Sequence, residues 1–391
     1  MRTAVSVPLA TMARDHVRSF GILSTFPPTS CGIATFSAAL ANGLITDGSS
    51  VGVVRCGPSP EVEDVLVTAS LTDMTPHGSA AAIDALNAND VVIVQHEYGL
   101  YDGPDGESVI DLMAAIEVPI VVVAHTVLSH PTANQRRVLE AVCAAADAVV
   151  VMTEAGRSRL DGYDVDLAKV SLVPHGATTT TTTPILSPLR SDRPVRLLTW
   201  GLLGPGKGIE WAIDALGELG DLDPRPEYIV AGATHPKVRE REGERYREML
   251  VARAARSTHA GQVIFDDQYR DLRSLTELIE SADVVVLPYD SRDQVTSGVL
   301  VDAVAAGRPV ISTAFPHAVE LLSSGAGIVV PQRDPAALGA AIRSVLTEPR
   351  LAASMAREAR RLAPSLSWPA VAHQYSVLGS RLVRARTAVA S

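Results

Sequence analysis

Short apolar runs rich in valine and isoleucine alternate along the chain with longer segments rich in alanine and leucine, whose apolar residues recur at helical spacing. This alternation is typical of parallel strands joined by crossover helices and predicts an α/β protein. The strands predicted in the first half are residues 20–23, 51–55, 91–95, 120–124, 148–152 and 170–174. Those predicted in the second half are residues 195–200, 228–231, 263–265, 284–287, 309–312 and 327–330.

The alternation stops once, where Ala177 is followed by six threonines and three nearby prolines. We interpret residues 178–194 as a linker between two doubly wound domains, residues 19–177 and 195–366. Residues 1–18 form an N-terminal extension, and residues 367–391 hold a last helix over 370–385, with Ser367 as its cap and Pro369 in its first turn. Ligands bind beyond the carboxyl ends of such strands, so two sheets predict a cleft between them.

The composition of the chain limits the classes of protein to which it can belong. Of 391 residues, 47% are apolar and 20% charged, which is typical of a globular protein, and the net charge of −10 argues against nucleic-acid binding. Three widely spaced cysteines favour neither disulfides nor a zinc site and suggest the reducing cytoplasm. No apolar run is long enough to span a bilayer. Pro8 interrupts the apolar stretch near the N-terminus, so a loose extension is favoured over a signal peptide.

The segment from Gly201 to Gly208 follows a predicted strand and opens a helix. Its glycines allow close backbone approach to an anion, the helix start offers free N–H groups, and Lys207 adds a positive charge. Residues 201–207 also fit the start of a Walker A loop, but Gly208 stands where that loop needs Ser or Thr. Binding of a nucleotide-sugar phosphate is therefore favoured over an NTPase site and over a merely tight turn.

A second loop, residues 288–303, follows the strand predicted at 284–287. Thr296, Ser297 and Gly298 are expected to start a helix whose first N–H groups point into the cleft, so that Ser297, Gly298 and Val299 bind the donor. Asp302 lies about two turns into this apolar helix, where the paired hydroxyls of a ribose would satisfy its carboxylate. A structural aspartate that caps a neighbouring loop is the alternative.

In the first half, polar residues follow three strands: Gly32 after the first, His96 and Glu97 after the third, and His125 after the fourth. These strand ends are expected to line one pocket. A metal site would need a third ligand at recognisable spacing, so hydrogen bonding to sugar hydroxyls or acid–base work is favoured for the histidines, with a structural role as the alternative. Neither the hydrolase G-x-S-x-G nor the dehydrogenase G-x-G-x-x-G motif is present.

Together these motifs resemble the family-4 retaining glycosyltransferases of the GT-B fold, from about Phe20 to Leu382. The resemblance rests on motifs that occur in the family's order, namely residues 27–34, His125, 173–176, 201–208, 282–284 with Pro288, 305–311 and Ser367-Trp368. It implies two Rossmann-like domains, the first on the acceptor side and the second on the donor side. It further implies that the protein transfers a hexose, mannose or glucose, from a GDP- or UDP-linked donor to a carbohydrate or other small acceptor. The transfer would retain the configuration of the sugar and would need neither a metal nor any other cofactor.

The resemblance assigns roles to individual residues. Lys207 would hold the diphosphate, Gly32 would face the diphosphate or the reacting sugar, His125 would bind the donor sugar, and Asp302 would bind the ribose. Thr234 and Tyr269 fall in segments that resemble the nucleotide site of a less familiar branch. Members of that branch also carry Asp-Gln-x-x-Ser-Gly where others have a glutamate motif.

Two positions depart from the usual family pattern. Gln294 replaces a glutamate and cannot carry charge, and Leu202 replaces an arginine that clamps phosphate. Arg292, Arg239 and Lys237 are candidates for the missing cation. The predicted mechanism is front-face transfer in which Lys207 and helix starts stabilise the leaving diphosphate, while His125, Glu97 and Gln294 position the hexose.

Three readings stay open beside this one. A GT-B sugar phosphorylase or a nucleotide-sugar epimerase would use the same loops. A nucleotide-sugar-binding regulatory protein with a degenerate site is suggested by Gln294 and Leu202. The sequence fixes neither the base, the sugar nor the acceptor, and it is compatible with a homodimer.

Overall fold

The computed structural model describes residues 17–57, 64–73, 75–177, 193–257, 260–268, 270–291 and 293–390. Most of the predicted extension and linker, together with Tyr269 and Arg292, lies outside these residues. Within them the chain forms two separate sheets, one on each side of the predicted linker, and every strand pair is parallel.

The first sheet has seven strands, and five helices connect successive strands and pack on it. The strands are β1 (Ser19–Ser24), β2 (Ser50–Cys56), β3 (Val67–Leu71), β4 (Val91–His96), β5 (Ile120–Ala124), β6 (Ala148–Val151) and β7 (Val170–Leu172). The helices are α1 (Gly32–Thr46), α2 (Pro76–Asn87), α3 (Val109–Ala114), α4 (Ala133–Ala145) and α5 (Glu154–Leu160). The strand order is β3-β2-β1-β4-β5-β6-β7.

The second sheet has six strands, and the helices that follow the predicted linker in the chain pack on it, except the last one, which packs on the first sheet. The strands are β8 (Arg196–Trp200), β9 (Glu227–Ala231), β10 (Val263–Asp266), β11 (Val284–Leu287), β12 (Val310–Thr313) and β13 (Gly327–Val330). The helices are α6 (Ile209–Ala215), α7 (Pro236–Glu242), α8 (Arg245–Arg256), α9 (Leu272–Ser281), α10 (Gly298–Ala305), α11 (Pro316–Leu322), α12 (Pro335–Thr347), α13 (Pro349–Leu366) and α14 (Trp368–Ala390). The strand order is β10-β9-β8-β11-β12-β13.

Both sheets are covered by helices on both faces, which explains why the central strands are apolar throughout. All six residues of β4 are buried, with Val92 and Val94 in the core on one face and Ile93 in the core on the other. The strand order reverses between β1 and β4 and again between β8 and β11. In doubly wound sheets such a reversal opens a crevice at the carboxyl ends of the strands.

Helix α14 returns to the first sheet, where Trp368 and Ala372 join the core formed by Phe20 and α1. A Cβ on Gly43 would lie 2.8 Å from the Cβ of Ala372, so the absence of a side chain there lets the two helices approach closely. Ser367 caps the helix, accepting a hydrogen bond from the N–H of Ala370 at 3.4 Å. The helix begins two residues before the predicted start and runs beyond the predicted end at residue 385.

Candidate functional site

The loop after β8 is held in place by continued pairing with the segment after β9. The N–H of Gly201 donates to the carbonyl of Ala231 at 3.0 Å, and the N–H of Leu203 donates to that of Ala233 at 2.9 Å. The N–H of His235 then donates back to the carbonyl of Leu203 at 2.8 Å. The predicted phosphate loop is thus fixed by backbone hydrogen bonds on one side before any ligand binds.

Two glycines make this packing possible. Gly208 has a φ of +63°, and a Cβ there would lie 1.9 Å from the carbonyl oxygen of Pro288. Gly232 has a φ of +130°, and its Cβ would lie 2.1 Å from the carbonyl oxygen of Gly201. Only glycine combines these backbone angles with so close an approach.

Lys207 lies at the carboxyl edge of the second sheet. Its Nζ is 4.3 Å from the centroid of the Tyr289 ring, which is fully buried two residues after β11. The ring face attracts the ammonium and fixes its direction. No carboxylate of the described residues forms an ion pair with Lys207. Lys207 as a residue is half-buried, and its ammonium is therefore available to an anion in the crevice between β8 and β11.

Helix α10 begins beside this loop. The hydroxyl of Ser297 accepts a hydrogen bond from the N–H of Leu300 at 3.3 Å, and the N–H of Ser297 donates to Nδ1 of His317 at 2.9 Å. Burial lowers the pKa of His317 to about 3, so its ring is neutral and accepts this bond. The N–H groups of Gly298 and Val299 have no carbonyl partner within the helix, as at any helix start.

The start of α10 contacts both the phosphate loop and the first half of the chain. Cγ2 of Val299 lies 3.5 Å from the position of a Cβ on Gly201. A Cβ on Gly298 would lie 2.9 Å from Cε1 of His175, which follows β7 in the first half. Glycine at 298 therefore lets the free N–H groups of α10 approach the junction between the two sheets.

A cavity of about 230 Å³ lies between the two halves. It is lined by His125 and Thr126 from the first half and by Ser291, Asp293, Gln294, Val295 and Thr296 from the second. The carboxamide nitrogen of Gln294 donates to the carbonyl of Thr296 at 2.8 Å. The cavity thus joins two of the predicted sugar-binding residues, His125 and Gln294, across the cleft.

Glu97 lies next to this cavity, where its carboxylate accepts hydrogen bonds from the hydroxyl of Thr126 at 2.6 Å and from the N–H of Tyr98 at 3.0 Å. Burial raises the pKa of Glu97, while these two hydrogen bonds and the charge of Lys237 act in the opposite direction. The Nζ of Lys237 lies 3.4 Å from the carbonyl of Gly99, so a cation of the second half reaches the loop that carries Glu97.

His125 is held by Gln95, whose side-chain oxygen lies 2.6 Å from Nε2 of the imidazole. The ring also packs edge-on against Phe36, with 4.9 Å between ring centroids. Phe36 belongs to α1, and Gly32 is exposed at the start of the same helix with open space around it. The first turn of α1 is therefore on the same side of the sheet as His125.

Among the described residues, none of the predicted nucleotide-binding positions lines this cavity, and Thr234, Asp302 and Tyr269 lie at other places in the fold or outside the described residues. The hydroxyl of Thr234 donates to the carboxylate of Glu244, although Thr234 lies beside the phosphate loop. Asp302 is half-buried in a narrow crevice between α9 and α10, where Thr276 and Leu275 are its neighbours. Tyr269, the third, lies outside the described residues.

Arg247 is a basic residue of the site that the sequence did not indicate. It lies on α8, and its guanidinium donates to the carbonyl of Gly232 and lies 3.6 Å from the carboxylate of Glu244. Its side chain is only 14% exposed. Arg247 therefore supports the backbone behind the phosphate loop, a role set by packing and not by any local motif.

Further contacts cross from one half to the other. The carboxylate of Asp293 accepts a hydrogen bond from the hydroxyl of Ser129 at 2.6 Å and pairs with Arg159 at 3.3 Å. The carboxylate of Glu320 accepts hydrogen bonds from the first two N–H groups of α5, at 3.0 and 3.2 Å. These contacts hold the walls of the cavity together.

Among the described residues, no three His, Cys, Asp or Glu side chains are grouped so as to hold a metal ion. In the same residues, no helix combines the length and the apolar character needed to cross a membrane.

Comparison with solved structures identifies the class of fold. A structure of Anabaena HepE in complex with UDP aligns with a TM-score of 0.72 and 17% identity, over 93% of this chain and 100% of that one. Sucrose-phosphate synthase from Thermosynechococcus elongatus aligns with a TM-score of 0.75 and 19% identity, over 94% and 100%. The two facing sheets are the GT-B fold of glycosyltransferases, and the α/β GT-B prediction is confirmed.

Sequence comparison finds a family match in the second half. Residues 194–348 match the family model described as glycosyl transferases group 1. The chain is 33% identical over 183 residues to glycogen synthase of Mycobacterium tuberculosis (strain CDC 1551 / Oshkosh), covering 46% of this chain and 41% of that protein. It is 29% identical over 277 residues to D-inositol 3-phosphate glycosyltransferase of Kineococcus radiotolerans, covering 63% and 60%. The chain thus matches about two-fifths to three-fifths of the length of these relatives.

Proposed function

We propose that the chain is a retaining, metal-independent hexosyltransferase that uses a nucleotide-sugar donor. One observation carries the proposal: the loop after β8 carries Lys207 over the Tyr289 ring and contacts the start of α10, where Val299 lies beside Gly201, while residues 293–296 just before α10 line the cavity shared with His125. A glycosyl transferases group 1 domain over residues 194–348 supports it.

The diphosphate of the donor would bind between the phosphate loop and α10. Lys207 supplies a full positive charge, and the N–H groups of Gly298 and Val299 supply hydrogen bonds with the positive end of a helix dipole behind them. Both would act more strongly on the leaving diphosphate than on the intact donor, because negative charge accumulates there as the glycosidic bond breaks.

The hexose would occupy the cavity, where His125, Gln294 and Glu97 offer neutral and charged hydrogen-bonding groups. On the proposed front-face path, the acceptor oxygen bonds to the anomeric carbon on the side from which the diphosphate oxygen departs. The acceptor proton passes to that departing oxygen, so the sugar keeps its configuration. The cross-cleft contacts of Asp293 and Glu320 would keep water out while this happens.

A second cation is needed in this proposal because Leu202 stands where the family resemblance expects arginine. Of the three candidates, Arg292 lies outside the described residues, and Arg239 and Lys237 are both exposed on α7. Lys237 reaches the cleft at Gly99. We favour Lys237, since its charge also acts on His235, which is hydrogen-bonded to the phosphate loop.

Donor and acceptor are proposed from the relatives. HepE has been solved with UDP and with UDP-glucose, so UDP-glucose is the first donor to test, followed by GDP-mannose.

Incubation with each donor should release the nucleoside diphosphate only when a sugar acceptor is present. Phosphate-dependent formation of a sugar phosphate would favour a phosphorylase, and conversion to an isomeric donor would favour an epimerase. Donor binding without release, across a broad acceptor panel, would favour a regulatory protein.

Removal of divalent metal provides a separate prediction. Because Lys207 and the helix start already supply positive charge, we expect EDTA to leave the initial rate within about twofold of its value in Mg²⁺. The rate should be measured after dialysis against the chelator and again after Mg²⁺ or Mn²⁺ is restored. A rate that falls to background with chelator and recovers with metal would contradict metal independence.

A further inference from the structure

Gln95 is a buried polar residue that the proposed mechanism does not yet use. It is the penultimate residue of β4 and is fully buried. Its backbone carbonyl accepts a hydrogen bond from the hydroxyl of Tyr101 at 2.7 Å, which fixes the strand end. Its side-chain oxygen lies 2.6 Å from Nε2 of His125, the shortest hydrogen bond that this imidazole makes among the described residues. A side-chain amide in such a place constrains the ring that it contacts.

His125 is in a setting that disfavours a charged ring. Burial lowers its pKa to about 3, and the nearby rings of His175 and His96 act in the same direction. The edge of Phe36 packs against the ring and gives no anion to balance a charge. Glu97, the nearest carboxylate after β4, is engaged by Thr126 and Tyr98. The imidazole is therefore neutral near pH 7 and carries one N–H.

The hydrogen bond to Gln95 decides where that N–H lies. The structure directs the carboxamide oxygen of Gln95 at Nε2, and an oxygen only accepts hydrogen bonds, so this pairing requires the proton on Nε2 and leaves Nδ1 with a bare lone pair. Nδ1 has no partner within the described part of the chain, and His125 lines the central cavity. We propose that Gln95 is a positioning residue that fixes His125 as the Nε2–H tautomer, so that Nδ1 accepts a hydrogen bond from a hydroxyl of a neutral hexose.

This assignment deepens the proposed function, on which its sugar preference rests. A bare nitrogen can accept a hydrogen bond from a hydroxyl, but it repels the carboxylate of a hexuronic acid, which has no proton to donate. We expect UDP-glucose to bind about tenfold or more tightly than UDP-glucuronic acid. This ratio corresponds to one hydrogen bond from a glucose hydroxyl to Nδ1, compared with a carboxylate that faces the same lone pair without a proton to share.

The tautomer is tested directly by NMR on protein labelled with ¹⁵N-histidine. Two-bond ¹H–¹⁵N spectra distinguish protonated from bare ring nitrogens, and His125→Asn identifies the signals of this ring. The wild-type protein should show protonated Nε2 and bare Nδ1 from pH 8 down to about pH 5, since the ring titrates only below that range. Gln95→Met should lower the Nε2–H fraction toward that of a free imidazole, in which this tautomer is still the major one, and Gln95→Glu should raise the pKa of the ring and protonate both nitrogens.

The matched control is Asn89→Leu, which replaces a carboxamide at the opposite edge of the same sheet, where it bonds to Ala85 and Leu86. It should change neither the tautomer nor the donor preference. Gln95→Glu should shift the ratio of donor affinities toward UDP-glucuronic acid, because the new Nδ1–H can donate to a carboxylate. Melting curves of all variants establish that they fold.

A wild-type spectrum with the proton on Nδ1 would overturn the assignment, as would a folded Gln95→Met variant with an unchanged ratio of the two tautomers. The spectrum needs no donor and no turnover. A protein with the expected tautomer that binds neither donor would therefore contradict the proposed function and its sugar preference, while the role of Gln95 in setting the ring would stand.

Discussion

Replacement of Lys207 by alanine is expected to lower the rate of sugar transfer by about 10²–10³-fold, the usual cost of losing one group that stabilises charge in a transition state. The ammonium lies over the ring of Tyr289 at the strand ends and forms no ion pair with a carboxylate of the described residues. Its loss should therefore affect the bound diphosphate more than the fold. Initial rates with UDP-glucose or GDP-mannose and melting curves with the matching diphosphate measure the two effects.

The chain offers a matched control. It contains three lysines, and Lys169 lies away from the cleft, where its Nζ donates to the carbonyls of Ala144 and Ala146 at the end of α4. Lys169→Ala removes the same side chain and should leave the transfer rate within about twofold. Equal losses in both variants would indicate a general effect of charge, and an unchanged rate in Lys207→Ala would refute the diphosphate assignment.

The second large effect is expected for Gly232→Ala. At a φ of +130° an alanine is strained, which costs roughly 1–3 kcal/mol for the backbone alone. Its Cβ would also lie 2.1 Å from the carbonyl oxygen of Gly201, which is fixed backbone and cannot rotate away. Relief of this clash must displace the phosphate loop, so we expect both a lower free energy of unfolding and the loss of diphosphate-induced thermal stabilisation.

Gly217→Ala separates this effect from the general effect of an added methyl group. Gly217 lies in the 3-10 turn Leu216–Leu219 with no atom near its Cβ position, so alanine there should change stability by less than about 1 kcal/mol, in the stabilising direction. Denaturant titration with and without nucleoside diphosphate measures both variants. Normal diphosphate binding by Gly232→Ala would show that the loop tolerates displacement and that its geometry does not define the site.

The sequence predicted the strands wherever burial on both faces makes a strand apolar, as in β4, β5 and β11. It missed β3, Val67–Leu71, because this edge strand is mostly half-buried and holds a threonine and a serine, so it lacks an apolar run. The cap at Ser367 was predicted because it is a local signal, whereas the length of α14 depends on its packing against α1, which only the folded chain shows.

The same distinction holds for the site. Lys207, His125 and Gln294 follow strands and could be predicted, since topology alone brings strand ends together. The contacts of Arg247 with Gly232 and of Gln95 with His125 join residues 15 and 30 positions apart on different elements, so no local pattern indicates them. The engagement of the Thr234 hydroxyl by Glu244 has the same origin, and its role in nucleotide binding remains a prediction.

The most direct test of the account is a crystal structure of the protein with bound UDP or GDP. We predict that the diphosphate lies within hydrogen-bonding distance of Nζ of Lys207 and of the N–H groups of Gly298 and Val299. A diphosphate bound elsewhere, with the Lys207 ammonium directed into solvent and the start of α10 unoccupied, would contradict it.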